Sequence, residues 1–245
     1  MKYMGSKNRI AKYILPIILK DRKPNQWYVE PFAGGMNVID KVDGNRIAND
    51  NNKYLIEMWK GLINNTDRIN DIPKSFYSEV RDCFNGKNDN FNDFIVGWIG
   101  FMGSANGRFF EGGYSGKSKT KIGTERDYIA ESIRNIEKQI PNMFGVEFSN
   151  KDYKQLNIPN NSIIYCDIPY KGTKQYSTSK NFNHEDFWEW CRKKTKEGHQ
   201  VFISEYNAPT DFECVWEMKV KSSLSANGKI GGSKNSVEKL FKYKL

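Results

Sequence analysis

The strongest constraint on the fold is a rhythm along the chain. Short apolar runs of strand length alternate with helix-patterned stretches, and the alternation breaks once, for nearly a hundred residues in the middle. Residues 27–32 (WYVEPF), 46–50 (RIAND), 146–148 (VEF), 162–166 (SIIYC) and 200–204 (QVFIS) read as strands, the fourth apolar enough for the centre of a sheet. Ser6 is an N-cap for a helix carrying Ile10, Ile14, Ile17 and Ile18. Residues 51–63 are amphipathic, and residues 184–196 place Phe187, Trp188 and Cys191 on one helical face. Strands joined through helices run parallel, so the expectation is an α/β fold with a parallel sheet flanked by helices. Two late β-patterned segments, 212–220 and 237–243, add an antiparallel edge. The interruption holds a stretch rich in glycine and aromatics, 97–116, followed by a basic one, 117–126. A structureless loop of that length does not suit a compact domain, so a partly helical inserted subdomain is expected there.

Charge and cysteine usage narrow the function classes. Lys and Arg number 38 against 29 Asp and Glu, a net charge of +9, which points to a polyanionic partner. With 14% aromatic residues the chain is a folding one. No run approaches ~18 apolar residues, and the start MKYMGSKNRI lacks the apolar core of a signal peptide, so neither a membrane span nor secretion is expected. Cys83, Cys166, Cys191 and Cys214 are scattered, as suits a reducing cytoplasm. They form no close-spaced pair, and His184 and His199 are the only histidines; chemistry without metal and without a covalent intermediate is expected.

Two segments carry chemistry. Glu30-Pro31-Phe32-Ala33-Gly34-Gly35 sits at the carboxyl end of the first strand, where small residues let a ligand approach the backbone. Asp50 ends the second strand, placed to take both hydroxyls of a nucleoside ribose; an ordinary strand-to-helix turn with a surface Asp is the alternative. Asp167-Ile168-Pro169-Tyr170 follows the fourth strand. An aromatic amine such as adenine N6 is a poor nucleophile, because its lone pair is delocalised into the ring. Asp167 and the main-chain carbonyl of Ile168 could accept its two N–H groups and stabilise the charge that builds during attack on a methyl sulfonium. Tyr170 could stack on an extruded base. A plain strand cap explains many such tetrapeptides equally well.

These elements, with Lys2-Tyr3-Met4-Gly5-Ser6-Lys7 at the start, stand in the order found in the Dam-like (D12 class) adenine-N6 DNA methyltransferases, which the chain resembles over nearly its whole length. The resemblance implies a Rossmann-like, S-adenosylmethionine-dependent methyltransferase sheet formed by residues 1–66 and 145–245. It also implies a mostly helical target-recognition subdomain at 67–144. It assigns Tyr3, Lys7, Glu30, Phe32, Gly34, Gly35, Asp50, Asp152 and Asp167 to the cofactor, and Asp167, Ile168, Pro169 and Tyr170 to catalysis. The implied partner is double-stranded DNA, acted on by a monomer, with a weak dimer left open. Two departures stand out: Ile168 replaces the usual first proline of the tetrapeptide, and Met36 stands where the last glycine of the glycine motif is common.

Residues 106–110 and 112–114 look like the hairpin this family sets against DNA, with Arg108 reaching a base edge or phosphate and Phe109 wedging into the gap of an extruded base. Packing of Phe109 and Phe110 into the subdomain's own core is the competing reading. Lys117, Lys119, Lys171 and Lys174 are candidate phosphate contacts. From Lys219 to Leu245 there are seven lysines and one acid, Glu238. Methylation of RNA or of a protein amide, and a DNA-binding remnant without activity, are the alternatives to DNA adenine methylation.

Overall fold

The computed structural model describes residues 1–119, 123–171, 182–221 and 235–244. Seven strands form one sheet: β1 (Tyr28–Glu30), β2 (Arg46–Asn49), β5 (Val146–Ser149), β6 (Ile163–Asp167), β7 (Gln200–Glu205), β8 (Phe212–Lys221) and β9 (Asn235–Tyr243). A separate hairpin pairs β3 (Lys117–Lys119) with β4 (Glu125–Asp127). The order across the large sheet is β5-β2-β1-β6-β7-β9-β8. The first five of these run parallel, with Tyr28 opposite both Arg46 and Ile163, and Ile163 opposite Gln200. β9 inserts between β7 and β8, antiparallel to both, so β8 is the edge strand. The parallel α/β sheet expected from the alternation is therefore present.

Local chemistry sets the element boundaries. β1 stops at Glu30 because Pro31 has no N–H to give to a ladder, which makes the strand shorter than the apolar run. Ser6 caps a single 3₁₀ turn, Lys7–Arg9, by accepting from the Asn8 N–H at 3.2 Å, and helix α1 (Ala11–Ile18) follows. Asn52 accepts from the N–H groups of Tyr54 and Leu55 at the start of α2 (Lys53–Ile63), and Asn183 does the same for Glu185 and Asp186 at the start of α6 (His184–Lys196). In α6 those two acids lie in the first turn and Lys193, Lys194 and Lys196 in the last, matching the helix dipole at both ends.

The period of two along each strand divides the core between the sheet's faces. The pattern is clearest in β6: Ile163 and Tyr165 face one way, Ile164 and Cys166 the other. The first face is covered by α1 and α2 and by the interrupting segment, which forms α3 (Lys74–Phe84), α4 (Asp93–Gly103) and α5 (Tyr128–Glu137). The second face packs on α6 through Phe187, Trp188 and Cys191. The insertion thus shares one continuous core with the sheet. Its closest approach rests on glycines: a Cβ on Gly97 of α4 would lie 2.1 Å from the Tyr54 carbonyl oxygen of α2, and one on Gly61 would strike the Phe94 ring at 2.2 Å.

The region around Arg108 differs from the expected hairpin. Residues 105–107 form a 3₁₀ turn, and the loop closes through a single antiparallel bridge between Ser104 and Tyr114. The paired hairpin lies further on, at β3 and β4.

Candidate active site

In the sheet order the chain leaves β1 toward β2 on one side and places β6 on the other, so the switch point of the topology lies between β1 and β6. Ligands of open α/β sheets bind outside the carboxyl ends of the strands at such a point. Three carboxylates gather there: Glu30 ends β1, Asp167 ends β6 and Asp50 follows β2.

Asp50 ties the glycine turn to the second strand. One carboxylate oxygen accepts from the Gly34 N–H at 3.0 Å and the other from the Asn52 N–H at 2.9 Å. Burial raises its pKa from the ordinary aspartate value, against the pull of those two donors. The neighbouring Asn49, 1% exposed, acts as a clamp: its amide donates to the carbonyls of Pro31 and Lys151, both at 2.9 Å, and its oxygen accepts from the Lys151 N–H at 3.0 Å. One side chain therefore joins the ends of β1, β2 and β5.

The glycines of the turn are small because Tyr3 lies across them. A Cβ on Gly34, whose φ is +46°, would sit 2.9 Å from the Tyr3 ring, and one on Gly35 would sit 2.5 Å from the Tyr3 Cβ. Met36 takes the left-handed conformation (φ +55°) that a glycine would adopt more easily, and its side chain is fully buried. Its carbonyl accepts from the Gln139 amide at 2.7 Å. The departure from the glycine motif thus keeps the turn's backbone shape while adding a core side chain.

Glu30 is buried, and its carboxyl accepts from the Tyr28 hydroxyl at 2.9 Å. Burial, with Asp167 adding to it, holds its pKa far above the usual carboxylate range. Phe32 packs against Tyr153 and Phe187 with ring centroids 5.1 and 5.8 Å away. Asp152, exposed, caps the short turn that follows β5 by accepting from the Lys154 N–H at 2.8 Å.

Asp167 meets the Lys7 ammonium at 3.1 Å; the lysine side chain is 9% exposed and the aspartate 25%. The same ammonium stands 4.4 Å over the centre of the Tyr170 ring and 3.6 Å from Glu238 of β9. Burial raises the Asp167 pKa to about 6, although Lys7 pulls it down. Burial alone would lower Lys7, but Asp167 and Glu238 more than offset it, so the lysine is charged.

The tetrapeptide is held from several sides. Tyr170 donates its hydroxyl to Glu238 at 2.8 Å and meets the Tyr206 ring edge-on at 4.6 Å. Glu205, at the end of β7, accepts from the Lys171 N–H at 3.0 Å. His184, at the start of α6, donates from Nε2 to the Pro169 carbonyl at 2.9 Å, since a carbonyl only accepts. Ile168 is 3% exposed and belongs to the apolar cluster beneath α6, so the branched side chain has a core role of its own.

Of the residues expected to meet DNA, Arg108 is half-buried and its Nε has no hydrogen-bond partner among the described residues. Phe109 is half-buried, with its ring against Phe101, Phe84 and Phe110 at 4.7, 5.0 and 4.8 Å, among the aromatics of α3 and α4. Lys117 and Lys119 are exposed on β3, and Lys171 is exposed beside the tetrapeptide. Lys174 lies outside the described residues. Asn49, His184, Glu205 and Glu238 were not singled out as site residues from the sequence. For Glu238 a signal existed, since it is the one acid in a tail of seven lysines. Among the described residues no group of three or more His, Cys, Asp or Glu is placed to hold a metal ion, and no helix is long and apolar enough to cross a membrane.

A parallel sheet with an inserted antiparallel strand, carboxylates at its switch point and an Asp-x-Pro-Tyr turn after the central strand is the frame of a methyltransferase. The family model of the D12 class N6 adenine-specific DNA methyltransferases matches residues 3–215. The chain belongs to this family of S-adenosylmethionine-dependent enzymes that methylate adenine in DNA.

Proposed function

We propose that the chain methylates the exocyclic amine of an adenine extruded from duplex DNA, as a monomer, with residues 1–66 and 145–245 as the catalytic unit and 67–144 as the recognition insertion. The donor set at the switch point fits S-adenosylmethionine. Asp50 keeps a second lone pair on each oxygen for two ribose hydroxyls, Phe32 and Asp152 border the adenine end, and Asp167 supplies negative field for a cationic molecule. Tyr3, Lys7, Gly34 and Gly35 shape the floor, with Glu30 buried beneath them. When bound, that cofactor supplies an electrophilic methyl group on a sulfonium.

The observation that carries the proposal is the placing of the Lys7 ammonium between the Asp167 carboxylate and the Tyr170 ring. A carboxylate and a π face converge there on a unit of positive charge, which is what N6 acquires as it is alkylated. Asp167 accepts one N6–H and the Ile168 carbonyl the other. The nitrogen lone pair is thereby drawn out of conjugation, and no base has to remove a proton before attack. Pro169 fixes the turn, and Tyr170 supports the base. Arg108 reads the target from the insertion, while Lys117, Lys119, Lys171 and Lys174 contact phosphates.

The test is incubation of the chain and of Asp167→Asn with tritiated S-adenosylmethionine and unmethylated duplex DNA. Label on adenine N6, reduced by roughly 10²–10³-fold in the variant, is expected for loss of a charged acceptor in the transition state. Label confined to RNA or protein, DNA binding without transfer, or a fully active variant overturns the reading.

A further inference from the structure

The family match ends at residue 215, yet the tetrapeptide is completed by a side chain beyond it. We propose that Glu238 of β9 is a positioning residue for methyl transfer, fixing the Tyr170 ring through its hydroxyl and sharing the Lys7 ammonium with Asp167. The inference rests on the reading of Asp167-Ile168-Pro169-Tyr170 as the site of transfer.

The geometry leaves Glu238 one carboxylate oxygen with two partners. Its Oε2 accepts from the Tyr170 hydroxyl at 2.8 Å and lies 3.6 Å from the Lys7 ammonium, and its side chain is 14% exposed. The carboxylate is part-buried, so its hydrogen bond and its ion pair are stronger than they would be in open solvent and restrain both partners. Tyr170 follows a proline turn and has one polar handle. Holding that handle fixes where the ring points, and the phenolic O–H, which prefers the plane of the ring, favours the ring orientation that faces Glu238; both affect how a base lies on it. Glu238 reaches this position because β9 is inserted beside β7: Lys239 pairs with Glu205, the residue whose carboxylate holds the Lys171 N–H. The tetrapeptide is thus held at Tyr170 and Lys171 by two neighbouring acids on adjacent strands.

The second partner links Glu238 to the ionisation of Asp167. Among the described residues, the charged and titratable groups facing Asp167 are Lys7 from the amino-terminal turn, Glu238 from β9, Glu205 from β7, Glu30 from β1, and Tyr165 and Tyr170 from its own segment. Of these, Lys7 is the cation, and Glu238 competes for it. Removing the Glu238 charge leaves Lys7 to Asp167 alone and removes a like charge, and both changes ease Asp167 ionisation.

The experiment uses the full chain with S-adenosylmethionine and duplex DNA, comparing Glu238→Ala, Glu238→Gln, Tyr170→Phe and the double variant of Glu238→Ala with Tyr170→Phe. Glu238→Ala and Tyr170→Phe are each expected to lower kcat by roughly five- to twentyfold, the rate equivalent of about one hydrogen bond, with cofactor and DNA dissociation constants within about twofold. The double variant should be no slower than either single one, because both remove the same contact. Glu238→Gln keeps an acceptor for the hydroxyl and should retain the plateau rate, while the acid limb of kcat/KM moves to lower pH. A passive ion pair would not move that limb. Additive losses in the double variant, or an unchanged rate in Glu238→Ala together with an unmoved limb in Glu238→Gln, overturn the inference. Asp167→Asn serves as the control: if it is fully active, the site itself is misread, whereas an inactive Asp167→Asn beside a wild-type Glu238→Ala refutes only the role of Glu238.

Discussion

Asn49→Ala tests whether one buried amide holds the cofactor edge together. The side chain makes three hydrogen bonds, two donated to the carbonyls of Pro31 and Lys151 and one accepted from the Lys151 N–H. Neutral bonds of this kind contribute about 1 kcal/mol each, so their loss removes about 3 kcal/mol. The alanine also leaves the Pro31 carbonyl without its side-chain donor inside the sheet, whereas Lys151 is exposed and its groups recover water. The expected total is about 3–4 kcal/mol, or a fall in melting temperature of roughly 10 °C for a chain of this size. Urea unfolding monitored by tryptophan fluorescence reads it as a lower midpoint at an unchanged slope. Asn49→Asp should be at least as damaging at neutral pH, because it keeps the acceptor but sets a carboxylate against two carbonyls. A loss below about 1 kcal/mol in Asn49→Ala would refute the clamp, since it would mean that water or a rotated backbone replaces all three bonds.

Asp50→Ala should weaken cofactor binding by roughly 100-fold or more, the worth of two hydrogen bonds to a carboxylate at about 1.5 kcal/mol or more each, and calorimetry finding unchanged affinity would remove Asp50 from the ribose. The acid limb of kcat/KM reports Asp167 in the free enzyme. Burial raises its pKa to about 6, so the acceptor carboxylate is present above that pH, and activity falls about tenfold per unit below it. A flat profile between pH 5 and pH 8 would count against the assignment. Replacing both Lys117 and Lys119 by Ala should reduce the slope of log K for DNA against log salt by about 1.8 and leave cofactor affinity unchanged; an unaltered slope would place the hairpin away from phosphates.

The parts of the fold legible in the sequence are those encoded locally. The alternation in β6, where Ile163 and Tyr165 face one core and Ile164 and Cys166 the other, is written in four consecutive residues. Asp50 and Asp167 were legible for the same reason, as carboxylates directly following apolar strands. Glu238 was not, because its partner Tyr170 is 68 residues away, and the insertion of β9 between β7 and β8 leaves no local trace. Arg108-Phe109-Phe110 shows the limit of composition: a glycine-flanked aromatic pair suits an exposed wedge or a packed core equally. The rings of Phe84 and Phe101, which α3 and α4 bring against Phe109, come from residues 25 and 8 positions away and are not visible in the local sequence.

The glycine contacts between α2 and α4 bear on how target specificity can be exchanged among relatives. Gly61 and Tyr54 belong to α2, on the catalytic side of the proposed boundary, while Phe94 and Gly97 belong to α4, on its recognition side. A graft of residues 67–144 alone would carry one half of each fitted pair and leave the other behind. A donor helix with alanine in place of Gly97 would collide with the Tyr54 backbone, and a host with alanine in place of Gly61 would displace the Phe94 ring. On the proposed division of the chain, transplanting recognition requires moving α2 together with residues 67–144, because the fitted pairs Gly97–Tyr54 and Gly61–Phe94 straddle that boundary.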